Sequence, residues 1–139
     1  EDPAILGAFE DETPMETLER IRGEELAHFH MLCEALEAMG GDPTAVTPSA
    51  DVVGTASMGI MQVVTDPRTT LAQSLNALLT AELTDNAGWE MLAELAQQSG
   101  EDELSASCLD ALAQEEQHLM VVRNWLTALL SNGQPSVSV

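Results

Sequence analysis

The sequence predicts an all-α protein with three long helices and one long connecting segment. Runs of alternating β-branched residues are short, and aromatic residues make up only 3% of the chain. Ala, Leu, Glu and Met dominate three long stretches, in which apolar residues recur at alternating steps of three and four. That spacing places them on one side of a helix. With 139 residues, 45% of them hydrophobic, the chain can bury a core, and we expect a single soluble domain over residues 1–139.

Capping residues and breakers predict where each helix begins and ends. Thr13 followed by Pro14 is typical of a helix start, and Gly40 is typical of a helix end. Gly100 separates the last two apolar stretches in the same way. We therefore expect three helices and two terminal segments: helices over residues 14–39, 67–99 and 101–131, the end of an earlier helix or a linker over 1–13, and a flexible tail over 132–139.

Residues 40–66 differ in composition from the predicted helices because they are rich in Pro, Gly, Thr and Ser. The segment is too long and too broken for a simple turn between two helices, so we interpret it as a crossover connection. Its apolar run Met58–Val64 is expected to form a short helix. Thr65, Asp66 and Pro67 then supply the start signal of the next long helix.

Composition excludes several classes of function. The chain has 24 acidic residues, four arginines and no lysine, with a net charge of −20, so a nucleic acid or an anionic membrane surface would repel it. No apolar run is long enough to cross a bilayer, and the acidic start of the sequence is unlike a signal peptide, so we expect a cytoplasmic protein. Cys33 and Cys108 are too far apart for a CxxC pair and are interpreted as buried free thiols.

The three predicted helices share one arrangement along their apolar faces. Each face has two apolar positions, then two ionisable positions, then three apolar positions. The faces are Leu18, Ile21, Glu25, His28, Leu32, Ala35 and Met39; Leu75, Leu78, Glu82, Asp85, Trp89, Leu92 and Ala96; and Cys108, Ala111, Glu115, His118, Val122, Trp125 and Leu129.

Acids at the middle of apolar faces require a positive partner, because burying several carboxylates together would cost several kcal/mol for each charge. None of the four arginines falls on one of these faces, but a metal cation can fill the role. Glu-x-x-His places a carboxylate and an imidazole on one helix face, and the motif occurs twice, at Glu25–His28 and Glu115–His118. Carboxylate and imidazole ligands without thiolate favour iron or manganese over structural zinc.

These residues carry a resemblance to a known family. Glu25-Leu-Ala-His28, the lone Glu82, and Glu115-Glu-Gln-His118 together resemble the ferritin-like superfamily of ferritins, bacterioferritins, rubrerythrins and manganese catalases. The resemblance implies a four-helix bundle with one long crossover, in which five residues hold two metal ions, iron first and manganese as the alternative. The ligands it implies are Glu25, His28, Glu82, Glu115 and His118, with Asp85 as an extra ligand or an acceptor for a histidine N–H.

The same family pattern predicts a helix that the sequence lacks. In these proteins a lone Glu on one helix precedes the Glu-x-x-His of the next helix. Here Glu82 precedes Glu115 by 33 positions (115 minus 82), so the equivalent partner of Glu25 would stand before Glu1. We therefore expect the first helix of the bundle to be missing or incomplete. Without that helix, the three predicted helices leave an apolar groove where it would pack. This exposed groove should drive assembly into a homodimer or a larger homo-oligomer.

The leading functional hypothesis is a di-iron protein that reacts with oxygen or peroxide. The alternatives are an enzyme that resembles a dimanganese catalase, and a metal-free helical structural or interaction protein that keeps the fold. The chain has no tyrosine, which excludes a tyrosyl radical, and the missing CxxC pair implies an external electron donor. His30 lies two residues after His28 and therefore points away from it, so it is not expected to be a ligand.

Overall fold

The computed structural model describes residues 12–132, and these residues form four α-helices without any strand. The helices are α1 (Pro14–Ala38), α2 (Pro48–Thr65), α3 (Leu71–Gln98) and α4 (Asp102–Asn132). The predicted all-α fold is confirmed. The predictions for residues 1–11 and 133–139 lie outside the described residues. Two compact units make up the chain, one ending at Pro43 and the other beginning at Thr44, and the single domain over residues 1–139 stays a prediction.

The first unit contains α1, whose two ends form as the sequence predicts. The Thr13 hydroxyl accepts a hydrogen bond from the Glu16 backbone N–H (3.3 Å), and the Glu16 carboxylate accepts one from the Thr13 N–H (2.8 Å). This capping box satisfies N–H groups that the first turn leaves unbonded, and its hydrogen bonds lower the pKa of Glu16. At the other end Gly40 has a φ of 81°, and the Gly41 N–H donates a hydrogen bond to the Leu36 carbonyl (2.8 Å), which ends the helix.

The second unit begins with α2, which is longer than the predicted helix over Met58–Val64. It starts at Pro48 because the Thr47 hydroxyl caps it by accepting from the Ala50 N–H (3.1 Å). Thr47-Pro48 is the same start signal as Thr13-Pro14. Among residues 12–132, neither α2 nor any other helix is long and apolar enough to cross a membrane.

The start of α3 lies at Leu71, four residues after the predicted position 67. Pro67 belongs instead to a turn in which the Thr69 N–H donates to the Asp66 carbonyl (3.0 Å). The N-cap is Thr70, which forms a capping box with Gln73. The predicted start signal at residues 65–67 thus ends in a turn, and the capping box of Thr70 and Gln73, which was not predicted, begins the helix.

A tight turn joins α3 to α4 and makes them an antiparallel pair. Gly100 has a φ of 79°, and the Glu101 N–H donates to the Ala96 carbonyl (2.9 Å). The Ser105 hydroxyl of α4 donates to the Ala93 carbonyl of α3 (3.0 Å), so the backbones lie close together. Small side chains permit this approach: the buried apolar residues here include Ala93, Ala96, Cys108 and Ala111.

Two glycine substitutions, one in α3 and one in the turn that follows it, should have opposite effects on stability. Gly100→Ala places a side chain on a left-handed backbone and should lower the free energy of unfolding by about 1–2 kcal/mol. Gly88 lies in the interior of α3 and on its exposed face, where an added Cβ meets nothing within 4 Å. Gly88→Ala should therefore raise the free energy of unfolding by about 0.5–1 kcal/mol. Urea denaturation checks both values, and equal effects of the two variants would contradict the turn geometry.

Candidate metal site

The second unit brings together three residues that the sequence predicts as metal ligands. Glu82 lies in the middle of α3, while Glu115 and His118 lie one turn apart in α4. The antiparallel pairing of these helices places one ligand atom from each residue within 4.8 Å of the others. All three side chains are buried, with exposed fractions of 7% for Glu82 and 0% for Glu115 and His118.

The distances between these donor atoms suit a metal ion. Nδ1 of His118 lies 3.5 Å from Oε2 of Glu115 and 3.9 Å from Oε2 of Glu82. Two atoms that each bind one ion at about 2.1 Å can be at most about 4.2 Å apart, and both distances fall below this limit. Two carboxylates and one imidazole are also a donor set that first-row transition metals accept. The residues therefore fit a metal ion.

The charge of this cluster favours an added cation. The three side chains Glu82, Glu115 and His118 together carry net negative charge even when His118 is protonated. Between residues 44 and 132 the arginines are at the surface: Arg68 pairs with Asp66 (2.6 Å) and is 89% exposed, and Arg123 is exposed. Because burial of a carboxylate costs several kcal/mol unless it is compensated, a cation at this place would stabilise the pair.

Two further side chains of α3 support the cluster. The Trp89 indole Nε1–H donates to Oε1 of Glu115 (3.2 Å), and the tryptophan is itself buried. The Asn86 amide donates to the backbone carbonyls of both Glu82 (2.9 Å) and Glu115 (3.1 Å). One amide thus joins the backbones that carry the two carboxylates, and one indole binds a carboxylate directly.

The structure corrects the predicted buried face of α3. Asp85 was expected among the buried acids, but its side chain is exposed. From Glu82 the helix face toward α4 continues with a step of four to Asn86 and a step of three to Trp89. The predicted face has these steps in the reverse order, because a period of 3.6 residues allows either order. An asparagine four residues after a buried acid was the signal for Asn86, but it is a weak signal.

The remaining predicted ligands lie in the first unit, on α1. Glu25 and His28 are one turn apart, and His28 is buried while Glu25 is half-buried. His30 is exposed, as expected for a residue off the apolar face.

Both cysteines are free thiols, as the sequence predicts. Cys108 is fully buried, and this burial raises the pKa of its thiol. Cys33 is only half-buried, so the prediction of a buried thiol holds fully for Cys108 alone. Neither cysteine belongs to the carboxylate and histidine cluster.

Comparisons with protein-family models, with curated proteins and with solved structures found no match for this chain.

Proposed function

We propose that this protein binds metal ions through Glu82, Glu115 and His118, and that its site is a dinuclear carboxylate and histidine site of the ferritin-like kind. The observation that carries the proposal is the buried cluster itself, in which two carboxylates and one imidazole lie within bonding range of a common ion. Glu25 and His28 are proposed as further ligands because they form a second Glu-x-x-His motif at the middle of an apolar face.

The residues of the cluster have distinct roles in this proposal. Glu82 and Glu115 supply the negative charge, and His118 supplies a neutral nitrogen donor through Nδ1, the ring nitrogen that faces both carboxylates. The buried surroundings exclude bulk water and so strengthen the attraction between the carboxylates and a cation. When bound, two iron ions would supply the redox chemistry toward oxygen or peroxide. An external electron donor would complete the cycle.

Metal loading should stabilise the folded protein. Metal-free protein should melt lower than protein with anaerobic Fe(II), because the ion binds the folded state and removes the repulsion between Glu82 and Glu115. At a metal concentration of 100 times Kd the gain is about 2.7 kcal/mol, which corresponds to a rise in Tm on the order of 10 °C.

The same melts with Mn(II) compare the two candidate metals. Oxygen consumption by Fe(II)-loaded protein and peroxide breakdown by Mn(II)-loaded protein then test the two chemistries. A wild-type Tm that is unchanged by either metal would instead favour a metal-free helical structural protein.

The proposal includes self-association, for which α2 offers a surface. Several apolar side chains of this helix are largely exposed: Val52 (71%), Val53 (61%), Met58 (62%) and Met61 (59%). Asp51 is the only charged residue of α2, whereas the whole chain carries a net charge of −20. Copies of such an acidic chain repel one another least across a neutral apolar face.

Light scattering should therefore give a mass of at least twice the 14.8 kDa of one chain. Replacing both Met58 and Met61 by glutamate should lower the mass to that of a monomer, because it places charge in the apolar interface. Met91→Glu is the control, since Met91 is similarly exposed (66%) but lies on α3. A monomeric wild type, or an effect of Met91→Glu equal to that of the double variant, would contradict this assignment.

A further inference from the structure

The Trp89 indole makes a specific contact with one of the proposed metal ligands. Its Nε1–H reaches Oε1 of Glu115 at 3.2 Å, across the interface between α3 and α4. The other oxygen of the same carboxylate, Oε2, lies 3.5 Å from Nδ1 of His118. The two oxygens of Glu115 therefore have different surroundings, one beside the indole and the other beside the imidazole.

The orientation of a glutamate carboxylate needs such a contact because its last torsion is poorly defined. Rotation about this bond has broad energy minima, so packing of the aliphatic part of the side chain does not fix the two oxygens. A hydrogen bond from a rigid donor does fix them. Trp89 is rigid and buried, with an exposed fraction of 8%, and the charge on the acceptor makes the hydrogen bond stronger than one between neutral groups.

We infer that Trp89 is a positioning residue for the metal site: its indole N–H holds Oε1 of Glu115 and so directs Oε2 toward Glu82 and His118. This inference rests on the proposed metal-binding function. It assigns Glu115 to bind the ion through Oε2, because Oε1 is held by the indole. Partners of this kind, which orient a ligand without touching the metal, are commonly worth 10–100-fold in metal affinity.

The alternative role of Trp89 is packing alone, since a buried indole N–H usually finds some acceptor. The two roles differ in what removal of the N–H does. A packing residue can lose its N–H with little effect on the bound metal, whereas a positioning residue cannot.

The test compares Trp89→Phe with Trp125→Phe, the same substitution at a half-buried tryptophan of α4. Mn(II) affinity is measured from the free-ion signal in electron paramagnetic resonance, and the Co(II) absorption spectrum reports the ligand geometry. Trp89→Phe should weaken Mn(II) binding about 10–100-fold and change the Co(II) spectrum. Trp125→Phe should keep the affinity and the spectrum of the wild type.

A second comparison keeps the ring size constant, in case Trp89→Phe does not fold. In the Trp125→Phe protein the remaining tryptophan is replaced by 3-benzothienylalanine, in which sulfur stands in place of the N–H group. If Trp89 is a positioning residue, this protein should show the same loss of Mn(II) affinity and the same spectral change as Trp89→Phe. Unchanged affinity and spectrum in this protein would overturn the positioning role while leaving the metal site in place. Absence of Mn(II) and Co(II) binding in the wild type would overturn both the positioning role and the proposed function.

Discussion

Replacing His118 by alanine is expected to remove most of the stabilisation that metal gives to this protein. The substitution deletes the only imidazole of the cluster in the described second unit, where its Nδ1 faces both carboxylates. We expect Kd to rise about 100-fold or more. At a metal concentration of 100 times the wild-type Kd, the stabilisation would then fall from about 2.7 to about 0.4 kcal/mol. Thermal melts with and without anaerobic Fe(II) measure the difference.

His30→Ala is the control for this experiment. His30 is exposed on α1 and lies off the apolar face, so its removal should leave the metal-dependent rise in Tm unchanged. His28→Ala tests the ligand proposed on α1 and should reduce the rise. A loss confined to His30→Ala would show that the ligands were assigned to the wrong helix face.

Replacing Glu115 by glutamine should change stability in opposite directions with and without metal. In the metal-free protein, Glu115→Gln removes one of two buried carboxylates that both face the His118 imidazole, and Glu82 can still pair with His118. The amide oxygen can still accept from the Trp89 N–H, so packing and this hydrogen bond are retained. We expect the free energy of unfolding of the metal-free protein to rise by about 1–3 kcal/mol.

The metal-loaded protein should show the reverse effect, because an amide is a much weaker metal ligand than a carboxylate. Glu116→Gln is the matched control: Glu116 is the next residue of α4 and is exposed. Urea denaturation with and without Mn(II) gives all the free energies. If Glu115→Gln destabilises the metal-free protein, the two carboxylates do not repel each other and the need for a cation disappears.

The predictable part of this fold is set by strong local signals. The Thr13-Pro14 start and the Gly40 and Gly100 ends require particular residues for particular backbone shapes, and the structure has helix ends at each of them. The start of α2 carried the same signal at Thr47-Pro48. It was missed because the Gly, Ser and Thr content around it weakens the helical pattern.

The site shows where sequence patterns stop being informative. The buried face of α4 was predicted through Glu115 and His118, because small and apolar residues flank them at regular steps. On α3 the order of the three- and four-residue steps determines whether Asp85 or Asn86 faces α4. Only the contact with α4 fixes that order. The Trp89 hydrogen bond to Glu115 joins two helices and has no local signature.

The most direct test of the metal site is a crystal structure of protein loaded with Mn(II), with anomalous diffraction used to locate the ion. We expect an anomalous peak within bonding distance of Oε2 of Glu82, Oε2 of Glu115 and Nδ1 of His118, with the Trp89 indole still bound to Oε1 of Glu115. Crystals grown with excess Mn(II) that show no peak at these three atoms, while His118 contacts a carboxylate directly, would contradict it.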